Sequence, residues 1–246
     1  MTSPGRFWDT FTNAFLQAPV PDITWTEMLL TLAAAITLSI PRRSWRYFGL
    51  LATATHELGH AFAAVTTGQR LSGIRLRLDH SGTTTTRSRS RLATAWSCFW
   101  GYPVPAIVGA AFVWAGVSGW GPAALAASAL TLAVSLLFLR NAAGFLITGA
   151  AIAGIAALIV LVPAAFTGHV VVCLGLALLV AAVRDLLKLA NVHVRRRERL
   201  GSSDAYLLYR ATAVPSALWI ALFAVLVAGA WFAAWQPVST ILLKGA

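Results

Sequence analysis

The chain has 246 residues, of which 58% are hydrophobic and only 11% charged, with a mean hydropathy of +0.74. A soluble domain carries about 25% charged residues, so this is a membrane composition, and no stretch is polar and long enough to form a separate soluble domain. The net charge of +11 would suit nucleic acid, but no nucleic-acid motif accompanies it; Arg gathered in the loops of a membrane protein accounts for it, and no nucleic-acid partner is expected.

In chain order, residues 1–22 form an N-terminal segment with Trp8, Phe11, Phe15 and Leu16 at roughly helical spacing, read as an amphipathic surface helix or a flexible tail. A first span is expected over 23–40, ending at Pro41 and followed by Arg42, Arg43 and Arg46. A second covers 47–66, stopped by Gly68. The alternation of apolar and polar residues from Ser72 to Leu78, the turn cluster Asp79-His80-Ser81-Gly82 and the β-branched run from Thr83 to Arg87 predict a β-hairpin. Its free edge suits an extended peptide added as a further strand, although a plain basic loop would read similarly.

A third span, 93–117, holds Pro103 and Pro105, which break or kink a helix, and backbone broken within a membrane lines a cavity or is buried in protein. Further spans follow at 123–139, 142–162, 169–187 and 205–235, with a tail over 236–246. The basic loop 188–203 contains Arg195, Arg196, Arg197 and Arg199, and Ser202, Ser203 and Asp204 offer caps for the last helix. The expected fold is therefore an all-α polytopic membrane protein of about seven transmembrane helices, a single domain over 23–235, with a short β-hairpin inserted after the second helix. Cys98 and Cys173 are read as small buried hydrophobes. Loop charges at 67–92, Arg140 and 188–203 place that side and the N-terminus in the cytoplasm of a cell-membrane protein. Arg42, Arg43 and Arg46, expected on the opposite side, count against this orientation.

The chemistry concentrates in His56-Glu57-Leu58-Gly59-His60, an H-E-x-x-H sequence. Residues i and i+4 share a helix face, so His56 and His60 can reach one metal ion, while Glu57 serves as general base for a water on that ion. Ionisable residues inside an apolar span cost about 2.5 kcal/mol or more when charged, and a bound metal would compensate them. A catalytic zinc takes three protein ligands and keeps a fourth position for water. Asp185, an acidic residue in a late span, is the expected third ligand, with an ion pair to Arg184 or Lys188 as its plainer role. Asp204 is the alternative ligand, with helix capping as its plainer role. His169 and His193 sit at span ends and are read as solvated or interfacial, and His80, in a turn, carries no signal. Asn141, in a polar break, can bond the backbone of an unwound substrate, or simply cap a helix or make an interhelical hydrogen bond.

An H-E-x-G-H motif in an early membrane span resembles the intramembrane zinc metalloproteases of the site-2 protease type, peptidase family M50, and more closely the M50B-like branch. The likeness rests on the run from Ala61 to Gly68 after the motif, the stretch from Gly73 to Thr86, the element Gly101-Tyr102-Pro103-Val104-Pro105-Ala106 and the pair Arg140-Asn141. It continues through Asp185 late in a span, the triplet Ser203-Asp204-Ala205 and Trp219, so that it covers about 50–225. The resemblance implies a zinc-dependent endopeptidase that cuts a membrane-protein substrate in or near its transmembrane segment, with Gly101 and Tyr102 near the substrate. Site-2 proteases carry a ligand Asp in an L-D-G motif preceded by N-x-x-P. The context of Asp185 is instead Val183-Arg184-Asp185-Leu186-Leu187, and no PDZ-like domain is present. Recognition would then fall to the hairpin, the helices or a partner. A catalytically silent membrane scaffold and a metal-binding transporter are the competing readings; the intact Glu57 favours the enzyme.

Overall fold

A computed structural model describes residues 11–88, 90–195, 200–201 and 203–244. Trp8, Arg196, Arg197, Arg199 and Ser202, named above, lie outside these. Helix α1 (Trp25–Ser39) begins at a capping box, in which the Thr24 hydroxyl accepts from the Glu27 amide and the Glu27 carboxylate accepts from the Thr24 amide. Helix α2 (Arg42–Thr66) follows after a two-residue turn and ends where Gly68 takes a φ of +68°. Strands β1 (Arg70–Leu76) and β2 (Gly82–Arg87) form the predicted antiparallel hairpin. Its turn is held by the Asp79 carboxylate, which accepts from the amide and the hydroxyl of Ser81.

Helices α3 (Arg91–Phe99) and α4 (Pro103–Val117) are bent by 46° across a break at 100–102. The two prolines sit in the first turn of α4, where a missing N–H costs nothing, so they start a helix rather than kink the middle of one. Helix α5 (Gly121–Ser135) runs on into a 3-10 turn, Leu136–Phe138. Helices α6 (Ala142–Leu161), α7 (Ala164–Arg195), α8 (Asp204–Thr212) and α9 (Ser216–Leu243) complete the chain.

Four segments are long and apolar enough to cross a membrane: Gly121–Phe138, Ala142–Leu161, Ala164–Arg195 and Ser216–Leu243. The bent α3–α4 pair makes a fifth if it counts as one span. Four or five spans thus meet the test of length and apolarity, against the seven expected. Helix α1 has 15 residues, short of the roughly 20 that span a bilayer. Helix α2 has 25, but Arg42, Arg43, Arg46, His56, Glu57 and His60 leave it too polar. The expected span over 205–235 is two helices, parted where Ala213 adopts a left-handed φ of 63° ahead of Pro215.

Close backbone approach fixes the bundle. Gly109 of α4 lies against Gly175 of α7, and Gly116 against Gly168, so the helices run antiparallel with no room for a side chain at these crossings. Helix α1 runs beside α7. Its start is marked by Glu27 at 3.5 Å from His169, and its end by the carbonyls of Ser39 and Ile40, which accept from Arg184 at 2.7 and 3.0 Å.

This register places α2. Its Trp45 lies under the Arg184 guanidinium at 4.0 Å. Its His56 meets Tyr102 edge-on, with ring centroids 4.8 Å apart. Extending the Gly109–Gly175 register by two turns brings Tyr102 level with Ala182. Both contacts therefore fall at one end of the α4–α7 pair, and α2 lies across that end instead of running the length of the bundle. The hairpin folds back along α2: the His80 Nε2–H donates to the Arg46 carbonyl at 3.2 Å and the Thr84 hydroxyl to Glu57 Oε2 at 2.6 Å, while Gln69, just before β1, donates to the Ala93 carbonyl of α3 at 2.7 Å.

Two sequence expectations change as a result. Arg42, Arg43 and Arg46 share an end with the hairpin and Arg140, because α2 does not carry the chain to the other end. The N-terminal segment, expected on the side of the site, instead meets the opposite end: Gln17 Nε2 donates to the Ser118 carbonyl and the Ala18 amide to the Gly119 carbonyl, each at 3.0 Å. With Cys98 and Cys173 replaced by serine, a cysteine at Ser44 should react with an impermeant maleimide from the same side of sealed vesicles as one at Ser81. A cysteine at Ser118 should react only from the other side; labelling of Ser44 and Ser118 positions from one side contradicts this packing.

Candidate metal centre

His56 and His60 stand one turn apart on the inward face of α2, with their Nε2 atoms 3.1 Å apart. The third group is Asp204, the first residue of α8, whose Oδ2 lies 3.3 Å from each Nε2. Helix α8 is held there by apolar burial: Ala205 and Leu208 pack with Ala95 of α3, Leu189 of α7 and Phe223 of α9. Ser203 occupies the N-cap position. Asp204 is thus free of capping, and its side chain reaches the imidazoles.

These three groups are the one His/Cys/Asp/Glu cluster among the described residues able to hold a metal ion. Their spacing fits zinc. Tetrahedral coordination with Zn–N and Zn–O bonds of about 2.0–2.1 Å separates neighbouring donor atoms by about 3.3 Å, against the observed 3.1, 3.3 and 3.3 Å. Three protein donors also leave a fourth position open. The Ser97 carbonyl accepts from His60 Nδ1–H at 2.7 Å, which leaves the Nε2 lone pair facing the cluster. Gly101, in the α3–α4 break, backs the cluster. A Cβ there would fall 2.4 Å from His60 Cε1 and 2.7 Å from His56 Nε2, so only glycine leaves the cradle clear.

Glu57 points into the same cavity, about 570 Å³ in volume, and is itself buried. Asp185 lines this cavity too but lies outside the cluster; the carboxylate that joins the two imidazoles is that of Asp204, the alternative ligand named from sequence. The plainer role of Asp185, an ion pair with Arg184 or Lys188, is not formed among the described residues; the Arg184 guanidinium lies on Trp45 and bonds the end of α1. Tyr102 lines the cavity against His56.

Asn141 bonds extended backbone, but the chain's own: its Nδ2 donates to the Leu76 carbonyl at 2.7 Å and its Oδ1 accepts from the Leu76 amide at 3.2 Å. With the Arg140 amide donating to the Ile74 carbonyl at 3.0 Å, residues 139–141 close the outer edge of β1. The outer edge of β2 stays unpaired among the described residues, and Gly82, Thr83, Thr84 and Thr86 line the cavity. His169 pairs with Glu27 far from the centre, and His193 Nδ1 bonds the Leu189 carbonyl.

Two participants escaped the sequence reading. The Ser97 carbonyl carries no sequence signal. Thr84, whose hydroxyl donates to Glu57 Oε2 at 2.6 Å, could be placed on the inward face by strand alternation, but nothing marked what it would face.

The model of the Peptidase M50B-like family matches residues 29–234, a range that takes in the H-E-x-x-H sequence, the hairpin, the α3–α4 break and Asp204. No curated protein and no solved structure matches the chain. A family match over most of the length, on a chain whose family-type residues converge on one cluster, has one consequence: this chain belongs to the Peptidase M50B-like family, of the site-2 protease type.

Proposed function

We propose that this protein is an intramembrane zinc-dependent endopeptidase that hydrolyses a peptide bond in or near a transmembrane segment of a membrane-protein substrate. The observation that carries the reading is the triangle of donor atoms from His56, His60 and Asp204 with the Glu57 carboxylate in the same cavity. In this reading those three residues hold the zinc, with Asp204 rather than Asp185 as third ligand. Bound zinc would supply a Lewis acid for the scissile carbonyl and would acidify water. Glu57 takes the proton from the attacking water and returns it to the leaving amine. Ser97 keeps His60 in the tautomer that presents Nε2.

The substrate would enter as an extended segment. The free edge of β2 lines the cavity and offers backbone donors and acceptors to an added strand, while the edge of β1 is already taken by 139–141. Tyr102 would form the wall beside the scissile bond; Asn141 is assigned to holding β1. The lipid bilayer surrounds the apolar helices, and the gathering of Arg42, Arg43, Arg46, Arg140 and the hairpin arginines at the site's end supports placing that end in the cytoplasm of a cell membrane. A silent scaffold of the same fold would have no need for an ionisable Glu57 in the cavity.

The decisive assay uses the full chain in detergent, loaded with zinc, and fluorescein-labelled casein as a general protease probe. Glu57→Gln should retain zinc and lose about 10²–10⁴-fold in cleavage rate; cleavage at the wild-type rate with zinc retained refutes the mechanism. Metal analysis separates the ligands. Asp204→Ala should weaken zinc binding by more than the roughly 10–100-fold that losing an outer partner costs, whereas Asp185→Asn keeps the metal. The reverse result returns the third ligand to Asp185. Gly101→Ala should give a folded chain with little zinc, because the added methyl occupies the cradle; stoichiometric zinc in that variant contradicts the geometry.

A further inference from the structure

The hairpin touches the catalytic centre at one side chain, and that contact has a chemical consequence. We propose that Thr84 is a positioning residue for Glu57, and that β2 as a whole holds the base in its working orientation; this rests on the reading of Glu57 as general base. Glu57 Oε2 accepts from Thr84 Oγ1 at 2.6 Å, in the range of a bond to an ionised carboxylate. The same oxygen atom of Thr84 lies 3.1 Å from the Glu57 carbonyl, but a hydroxyl has one proton and the shorter bond claims it. On the other flank is Gly82, where a Cβ would stand 2.5 Å from Oε1 and from Cγ. One oxygen is tethered and the other is fenced, both by alternate residues on the inward face of β2.

The tether is itself rigid. Thr84 pairs with Ile74 across the hairpin, and Ile74 is buried in a cluster with Ala54 and Ala61 of α2. The strand is therefore anchored on the helix that carries Glu57, on both sides of it. A β-branched side chain adds little torsional freedom of its own. An untethered glutamate has three rotatable bonds and is free to swing within the cavity. The Thr84 hydroxyl opposes that motion without neutralising the carboxylate, because a hydroxyl donates a hydrogen bond but keeps its proton.

A role confined to packing the hairpin on α2 would show as a general loss. A positioning role lowers kcat and leaves KM and bound zinc unchanged. The test compares the wild type, Thr84→Val, Thr84→Ser, Glu57→Gln and the Glu57→Gln/Thr84→Val double variant as full chains in detergent, with fluorescein-labelled casein. Thr84→Val, nearly isosteric, should lower kcat by about 10–100-fold, as small misplacements of a reacting group do, with KM and bound zinc unchanged. Thr84→Ser, which keeps the hydroxyl, should restore most of the rate. Adding Thr84→Val to Glu57→Gln should change the residual rate no further. A second readout avoids turnover: in the metal-free chain, Thr84→Val should lower the melting temperature by about 2–4 °C more with Glu57 present than in a Glu57→Ala background. Wild-type kcat in Thr84→Val overturns the proposal, as does a Thr84→Ser variant no better than Thr84→Val, or equal melting shifts in the two backgrounds. Failure of the base assignment looks different: there Glu57→Gln itself cleaves at the wild-type rate.

Discussion

Everything at the working end of this protein depends on bringing one carboxylate, Asp204, against two imidazoles that precede it by more than half the chain. His60 and Glu57 are buried, and a buried charge or polar group without a partner costs several kcal/mol. The chain meets that cost by convergence: Asp204 comes from α8, the Ser97 carbonyl from α3, and the Thr84 hydroxyl from β2. Each of these elements is short and is placed by apolar contacts made elsewhere. Helix α8 is nine residues long, ends at the left-handed Ala213, and is held by Ala205 and Leu208. At the α3–α4 break Gly101 is buried against the imidazoles. Irregular structure at membrane depth persists only where protein or a cavity covers it. Here it borders the cavity that contains the cluster.

The bundle beneath is simpler and carries no chemistry. Glycines at 109, 116, 168 and 175 let α4 and α7 approach backbone to backbone, which substitutes for the hydrophobic driving force that lipid surroundings remove. That rigid pair then serves as a floor. Arg184 of α7 meets the end of α1 and the ring of Trp45, and Tyr102 at the start of α4 meets His56. Helix α2 is pinned at two points of the same end and must lie across it. The sequence reading, treating α2 as a crossing, put Arg42, Arg43 and Arg46 opposite the other basic loops. With α2 lying across, these arginines join the hairpin and Arg140, and the charge asymmetry between the two ends grows.

Local periodicity was legible in the residues; the depth and direction of helices were not. The i, i+4 spacing of His56 and His60 required only a helix, and the alternation of 72–78 required only a half-buried strand; both elements are present. The span count rested on apolarity in a window of about 20 residues, which cannot distinguish a helix through a bundle from one lying on its end. The choice of third cluster residue lay between two aspartates. A carboxylate in an apolar stretch signals function, which favoured Asp185, while an Asp after two serines suggests a cap, which demoted Asp204. In the fold Ser203 takes the cap position and α7, at 32 residues, carries Asp185 past the cluster to the cavity wall. Asn141 was read as bonding a substrate's backbone or capping a helix; in the fold its side chain bonds the backbone of β1.

That closure of β1 by residues 139–141 bears on what the hairpin is for. A two-stranded sheet is marginal alone and has two exposed edges. This one spends one edge on the α5–α6 turn and one face on α2, which leaves β2 free on a single side. Proteins usually blunt such an edge with Lys, Pro or a bulge. Between Gly82 and Arg87, β2 has four threonines, and the register shift of the pair falls on the partner strand near Ser72. Threonine keeps strand propensity high, exposes little apolar surface and places no charge that would repel an incoming backbone. Its inward hydroxyl at 84 holds Glu57, so in the proposed reading the strand that receives the peptide and the strand that orients the base are the same six residues. A substrate segment paired with β2 would then lie in register with the base, its position relative to Glu57 set by backbone hydrogen bonds rather than by side-chain identity.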